Sequence, residues 1–177
     1  MISGALADWP FADDPAAGTA AARKDNTGIF KATAQIRGAL LKFDPQWPML
    51  DHVDADVVFV DDGFSVAGQG VLAGVGIRHF DGGIAHFGKP DLLVHAQGGG
   101  DASRLLALLK QSPLHKAYGE TLDNIVATGL ANVTFGLELP LHSGLPSKID
   151  GTVALAGARL AEKRWDIAFD NVRGSAR

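Results

Sequence analysis

Six histidines have the widest chemical range in this 177-residue chain, because imidazole acts both as a general base and as a zinc ligand. No two of them are three or four residues apart, the spacing that places two imidazoles on one face of a helix. His79, His86 and His95 instead fall in stretches that alternate like neighbouring strands, where they could approach one another. Solvated or half-buried strand histidines are the simpler interpretation, so we expect no metal site.

The other residues with catalytic chemistry also have simple structural interpretations. The acidic pairs Asp13-Asp14 and Asp61-Asp62 adjoin proline or glycine, as is typical of turns. The glycines of GQGVLAG precede an alternating stretch and not the helix that a nucleotide loop requires. There is no Gly-x-Ser-x-Gly motif, and the absence of cysteine excludes thiol catalysis and disulfides. We therefore expect no enzyme activity and no cofactor.

The charge and hydropathy of the chain limit its partners. Sixteen basic and 20 acidic residues give a net charge of −4, which provides no general attraction for nucleic acid or for an anionic membrane surface. No apolar run is long enough to cross a bilayer, and the N-terminus lacks the features of a signal peptide. We expect the chain as given to be soluble and to bind no nucleic acid.

Apolar and polar residues alternate with a period of two through most of the chain after Gly28. In VDADVVFV and in GFSVAGQGVLAG the residues at every second position share one face, and DDG supplies a turn between the two stretches. Alternation returns in GIRHFDGGIAHF, DLLVHAQ, ANVTFGLELPL, KIDGTVALAGARL and RWDIAFDNV. The pattern predicts roughly eight strands joined mostly by short turns, as in an antiparallel meander.

One stretch breaks the alternation, and it predicts a helical interlude near 101–125. Asp101 or Ser103 can cap a first helix that carries a stripe of leucines and ends at Pro113. A second short helix is expected to reach Tyr118.

The composition divides the chain into two parts. Residues 1–27 are mostly small, polar and aperiodic, which predicts a partly disordered lead-in. Residues 28–177 are expected to form a single β-rich segment, mainly β with the short helical insertion.

A single antiparallel sheet must cover its apolar face, and two short helices provide little cover. Spacing alone favours a closed β-sandwich or barrel, and it leaves open a curved sheet whose apolar face forms a groove. Two tryptophan-proline pairs, Trp9-Pro10 and Trp47-Pro48, are interpreted as structural anchors at strand entries. Proline keeps the preceding residue extended, and the indole supplies a large apolar area to plug the end of a curved core.

The order of several short motifs resembles a known family. DWPF, then TGIFKATAQIRGALLKFDPQWPMLDHVDADVVFVDDGFSVAG, then LLKQSPLHKAYGETL and GLELPL are similar to the central region of the YhdP family of AsmA-like envelope proteins. Each motif is short, whereas their order and spacing extend over most of the chain. The resemblance implies a curved antiparallel sheet that forms an elongated apolar groove, with the closed β-sandwich as the alternative.

The resemblance also implies a function and a location. Proteins of this kind have one helix in the inner membrane of a Gram-negative bacterium and a long periplasmic β-rich body. They are thought to carry phospholipids toward the outer membrane along the groove, without catalysis, and to support its permeability barrier. On this basis the chain is a periplasmic segment of a much longer protein. Its expected partners are phospholipid acyl chains and neighbouring segments of that protein, and membrane contact is made only by parts outside this chain.

The alternating large apolar side chains are the predicted lining of the groove. A non-enzymatic β-sandwich adaptor or assembly module, which binds protein through its sheet edges, remains the alternative function. The predicted lining residues are Val57, Phe59, Phe64, Val66, Leu72, Phe135, Leu137, Leu139, Val153, Leu155, Trp165, Ile167 and Phe169.

Overall fold

The computed structural model describes residues 2–3, 29–141 and 146–176, which form ten strands and two helices. The predicted anchors Trp9 and Pro10 lie outside the described residues, as does most of the predicted lead-in. The elements in chain order are β1 (Ile2–Ser3), β2 (Ile29–Leu41), β3 (Leu50–Val60), β4 (Gly63–Leu72), β5 (Val75–Ile84), β6 (Asp91–Asp101), α1 (Ala102–Lys110), α2 (Leu114–Asn124), β7 (Ile125–Thr128), β8 (Leu130–Pro140), β9 (Lys148–Glu162) and β10 (Ile167–Ala176).

The strands form one open antiparallel sheet, in which neighbours in the chain are mostly neighbours in space. The order is β1-β2-β3-β4-β5-β6-β8-β9-β10, and β7 lies in line with β8 because both pair with β9. Within the described residues, the two edges do not pair with each other, so the sheet is not closed. The predicted fold class, a mainly β curved antiparallel sheet with a short helical insertion, is confirmed, and the closed β-sandwich is wrong.

Irregular pairing interrupts the four strands β2 to β5 at a common level. The register shifts after Ile36 in β2, after Asp51 in β3, after Gly68 in β4 and after Ile77 in β5. His52, next to one of these shifts, has a positive φ of 50°. A β-bulge bends its strand and increases its twist, so bulges at matching levels on neighbouring strands bend the sheet along a line that crosses them.

The helices follow β6 directly and differ from their predicted bounds at one end. Asp101, one of the two predicted candidates, is the N-cap of α1, and its side chain accepts a hydrogen bond from the Ser103 N–H. The second helix continues to Asn124, beyond the predicted end at Tyr118, where the backbone leaves helical geometry for one residue. In the described part of the chain, neither helix combines the length and hydrophobicity needed to cross a bilayer.

Candidate functional site

One face of the sheet, here called the apolar face, consists of five rows of directly paired residues that run across the strands. Direct partners in an antiparallel pair point to the same side, so each row follows from the register. The rows are Phe59-Phe64-Ile84-Leu92-Leu139 (row one), Val57-Val66-Gly82-Val94-Leu137-Ile149 (row two), Ile36-Ala55-Gly68-Phe80-Ala96-Phe135-Gly151 (row three), Gly70-Ile77-Gly98-Val133-Val153 (row four), and Leu50-Leu72-Val75 with Ala131-Leu155 (row five).

The opposite face, here called the polar face, carries ion pairs between neighbouring strands. Arg37 lies 3.3 Å from Asp56 across β2 and β3, and Arg159 lies 2.6 Å from Asp170 across β9 and β10. These side chains are more than half exposed, so the pairs keep the face hydrated and contribute little to the free energy of unfolding. The two faces of the sheet thus have opposite chemistry.

Helix α1 covers rows four and five of the apolar face. Leu105 and Leu108 are 6% and 7% exposed and form a core cluster with Val75 and Ala131. Row-four residues, such as Val133, pack against the same cluster. This part, rows four and five, is called the covered half.

Rows one and two, here called the uncovered half, contribute no residue to the cluster under α1. Phe59 and Phe64 pack against each other with ring centroids 5.9 Å apart, and Phe87 of the β5–β6 loop stacks on Phe64 at 6.1 Å. Phe59 remains 36% exposed, Phe87 40% and Ile149 54%. A large apolar surface is therefore left in contact with water at this end of the strands.

Trp47 lies at the boundary between the two halves. It belongs to the loop between β2 and β3, yet its ring packs edge-on against Phe135 of β8, with centroids 6.2 Å apart. It also packs against the cluster under α1. The Trp47-Pro48 pair shortly precedes β3, and its role as an anchor stays a prediction.

Asp101 fixes the start of α1 to the sheet. Its carboxylate accepts hydrogen bonds from the Ser103 N–H at 2.8 Å and from the Gly129 N–H at 3.2 Å. The hydrogen bonds with Ser103, followed by the one from Gly129, lower the pKa of Asp101 below its ordinary value. The carboxylate thus joins α1 to the junction of β7 and β8.

Two further carboxylates hold α2. The hydrogen bond from His115 is the main cause that lowers the pKa of Asp123, and Lys110 of α1 lies 3.6 Å from the same carboxylate. Burial acts to raise the pKa of Glu162, but hydrogen bonds from Arg164 and from the Trp165 N–H outweigh it and lower that pKa. Because Arg164 also binds Glu120 at 2.8 Å, α2 is attached to the β9–β10 turn.

The five histidines that the structure describes each pair with an aspartate. His79 and His95 both contact Asp81 on the polar face, each at 3.3 Å, whereas His86 contacts Asp62 at 2.9 Å. Across residues 2–3, 29–141 and 146–176, no group of three or more His, Asp or Glu side chains has an arrangement that could hold a metal ion. These five histidines are thus exposed members of surface pairs.

Most of the predicted lining residues fall on the apolar face, but they divide between its halves. Ten of them belong to the five rows, among them Phe64 and Leu137 in the uncovered half and Val153 and Leu155 in the covered half. Phe169 and Ile167 lie on β10, where Phe169 pairs with Leu160.

Trp165 is the one predicted lining residue that does not lie on a strand. The sequence places it on a strand with Ile167 and Phe169, but β10 begins only at Ile167, and Trp165 lies in the preceding turn, 73% exposed. The predicted strand start is wrong there, because Asp166 adopts a positive φ of 49° that ends the extended conformation. The register therefore gives Trp165 no place in the five rows.

The predicted lining omitted several residues of the uncovered half. Leu92 and Val94 of β6, Ile84 of β5 and Ile149 of β9 belong to rows one and two. Alternation in GIRHFDGGIAHF, DLLVHAQ and KIDGTVALAGARL contains the signal for all four. Phe87 ends the alternating stretch GIRHFDGGIAHF but is out of phase with Ile84, and only the fold of the loop after β5 brings it to Phe64.

The uncovered half can bind apolar ligands, but its rows contain no side chain with acid, base or nucleophilic chemistry. Its side chains are aliphatic or aromatic, and they supply contact area without directional hydrogen bonds. Such a surface binds by excluding water, and its affinity scales with the area that is covered.

The chain is similar to known proteins over most of its length. The family model described as YhdP protein matches residues 2–177. The chain is 30% identical over 152 residues to the intermembrane phospholipid transporter YhdP of Escherichia coli strain K12. The match includes 85% of the chain and 12% of that relative, so the chain spans about an eighth of its length. No solved structure matches the chain. The chain belongs to the YhdP family.

Proposed function

We propose that this chain is a periplasmic segment of a lipid carrier, in which phospholipid acyl chains lie along the apolar face. The observation that carries the proposal is the uncovered half, where two rows of mostly apolar side chains run from β3 to β8 or β9 and no member belongs to the cluster under α1. The name of the Escherichia coli relative, an intermembrane phospholipid transporter, supports this function. The outer-membrane permeability barrier would depend on such transport.

The proposed conduit works by contact and not by catalysis. Burial of an acyl chain contributes about 0.8 kcal/mol per CH₂, so the rows can hold a lipid without a polar recognition site. Rows one and two extend from β3 to β8 or β9, perpendicular to the strands, and an acyl chain can shift along them without losing a directional bond. The headgroup would remain in water beyond the edge of the sheet.

Neighbouring segments of the same protein are the proposed partners at the sheet edges. The β10 strand pairs with β9 on one side, and in the described part of the chain no strand pairs with its other side. The relative is much longer than this chain, which supports continuation of the sheet by further strands. The rival function, an adaptor that binds another protein at this edge, would use the same unpaired backbone groups. Attachment to the inner membrane is assigned to parts outside this chain.

The test is lipid capture by the full 177-residue chain. Purified from bacteria without detergent, it should carry phospholipid that native mass spectrometry and solvent extraction detect and that a fluorescent fatty acid displaces. Ile149→Glu should abolish this binding, because it places a charge in row two. It should also fold, because position 149 is 54% exposed and the carboxylate can reach water.

Thr134→Glu is the matched control. Thr134 is an exposed residue of β8 that points to the polar face, one position from Phe135 on the apolar face. This variant should bind lipid as the parent chain does. Equal binding by the parent, Ile149→Glu and Thr134→Glu would refute binding at the apolar face. A folded chain that neither carries lipid nor takes up the probe would favour the adaptor.

A further inference from the structure

Trp47 occupies apolar surface far from its own strands. The β2–β3 loop comprises residues 42–49, and β4, β5 and β6 separate β3 from β8 in the sheet. Nevertheless the indole contacts Phe135 of β8 and the cluster under α1. The loop therefore folds over the apolar face and covers part of row three, next to the uncovered half.

The loop is held in shape by its own residues. Asp44 accepts a hydrogen bond from the Gln46 N–H at 2.7 Å through its side chain and one from the Trp47 N–H at 3.3 Å through its carbonyl oxygen. The Lys42 ammonium donates to the Trp47 carbonyl oxygen. All of these bonds remain when the loop moves as a unit, whereas the contact of the indole with Phe135 is apolar and non-directional.

The loop also carries a partner for the indole when it leaves the sheet. The ring of Phe43 lies 6.3 Å from that of Trp47, and Phe43 is itself 52% exposed. If Trp47 withdraws from Phe135, its indole therefore keeps the contact with Phe43 and becomes more exposed to water. The loss is apolar contact area, which another apolar molecule can replace at Phe135.

We infer that Trp47 and a lipid acyl chain compete for the surface over Phe135, so that Trp47 obstructs the path until the acyl chain displaces it. This inference rests on the proposed function, because the competitor is the lipid of that proposal. It adds a residue that regulates access: rows one and two accept an acyl chain with the loop in place, and row three accepts it only when Trp47 withdraws. Binding energy spent on displacing Trp47 lowers the apparent affinity of the whole face.

Fluorescence of Trp47 tests the competition directly. The chain has three tryptophans, so Trp9→Phe and Trp165→Phe leave Trp47 as the single emitter in the full 177-residue chain. Oleate should shift its emission to longer wavelength and raise its quenching by acrylamide, and dibromostearate should quench it no more than oleate does. Emission that stays at short wavelength and is quenched by dibromostearate would show that Trp47 lines the path together with the lipid, which overturns the inference.

Binding by variants gives a second readout. Trp47→Ala should raise the affinity for a fluorescent fatty acid about three- to tenfold, since apparent affinity is reduced by the fraction of chains in which the site is obstructed. Trp47→Phe, which keeps an apolar anchor, should lie between it and the parent. Trp165→Ala removes the same side chain from an exposed turn and should leave affinity unchanged. Circular dichroism checks that each variant is folded.

The outcomes separate the inference from the proposed function. Lower or unchanged affinity in folded Trp47→Ala, with clear binding by the parent, overturns the competition and leaves lipid binding intact. Binding by Trp47→Ala alone would support competition at Phe135 but would overturn the access of an acyl chain to rows one and two with the loop in place. Absence of binding in the parent, Trp47→Ala and Trp47→Phe overturns the proposed function and the inference with it.

Discussion

The covered and uncovered halves of the apolar face have the same local sequence pattern and different surroundings. In β8 the alternate residues Ala131, Val133, Phe135, Leu137 and Leu139 all point to this face. Ala131 is 2% exposed in the cluster under α1, whereas Leu137 and Leu139 at the other end of the strand lie in rows outside that cluster. One strand therefore contributes to a core at one end and to an open surface at the other.

This difference shows that alternation determines which face is apolar but not what covers it. A core residue loses its water to permanent neighbours and contributes to folding, whereas the residues of the uncovered half other than Ile84, which is 8% exposed, keep more of their water until something binds. The two halves should therefore respond differently to the same substitution. Substitutions in the covered half should lower the stability of the fold, and substitutions in the uncovered half should weaken lipid binding.

The largest expected effect is loss of stability from the covered half. Leu105→Ala removes a buried side chain of α1 and should lower the free energy of unfolding by about 3 kcal/mol, through lost burial and a residual cavity. Leu139→Ala, the same deletion in row one, should cost about 1 kcal/mol, because less contact area is lost there. Urea unfolding followed by circular dichroism measures both. Equal losses would remove the distinction between the two halves.

The bend between the halves should be sensitive to side-chain volume at Gly68. A Cβ atom at this position would lie 2.3 Å from the Asp54 carbonyl oxygen, closer than atoms can approach. Gly68→Ala must therefore shift β3 against β4, and it should lower the free energy of unfolding by about 1–3 kcal/mol. Gly88→Ala adds the same methyl group where nothing lies within 4 Å. If the two variants unfold at the same urea concentration, close packing at Gly68 does not contribute to the bend.

Much of the fold could be predicted from the sequence, because strand alternation and helix capping are local. The pairing of β3 with β4 follows from two alternating stretches around DDG, and Asp101 marks the start of α1. Strand β7 was not predicted, because four residues directly after a helix show too little alternation.

The division of the apolar face could not be predicted, because it depends on contacts between residues far apart in the chain. No local pattern indicates that Trp47 reaches Phe135 or that Phe87 stacks on Phe64. The period of two correctly places Ile167 and Phe169 on one strand. It wrongly includes Trp165 in that strand, because the sequence pattern does not show the positive φ of Asp166. Sequence reasoning thus finds the apolar face and cannot determine which part is covered.

The smallest expected effect comes from the charge that fixes α1 over the covered half. Asp101→Asn keeps a side chain able to cap the helix but removes the negative charge, so at pH 7 it should lower the Tm by about 2 °C. Because the folded state lowers the pKa of Asp101, the carboxylate stabilises the protein above its ordinary pKa of 3.8. That contribution is lost as the pH falls below 3.8 through the folded pKa, so the Tm values of parent and variant should converge in acid. Thermal unfolding at a series of pH values measures the difference. A Tm difference that persists or grows in acid would mean that the charge of Asp101 does not hold α1 in place, and cover of this half would then depend on the leucines alone.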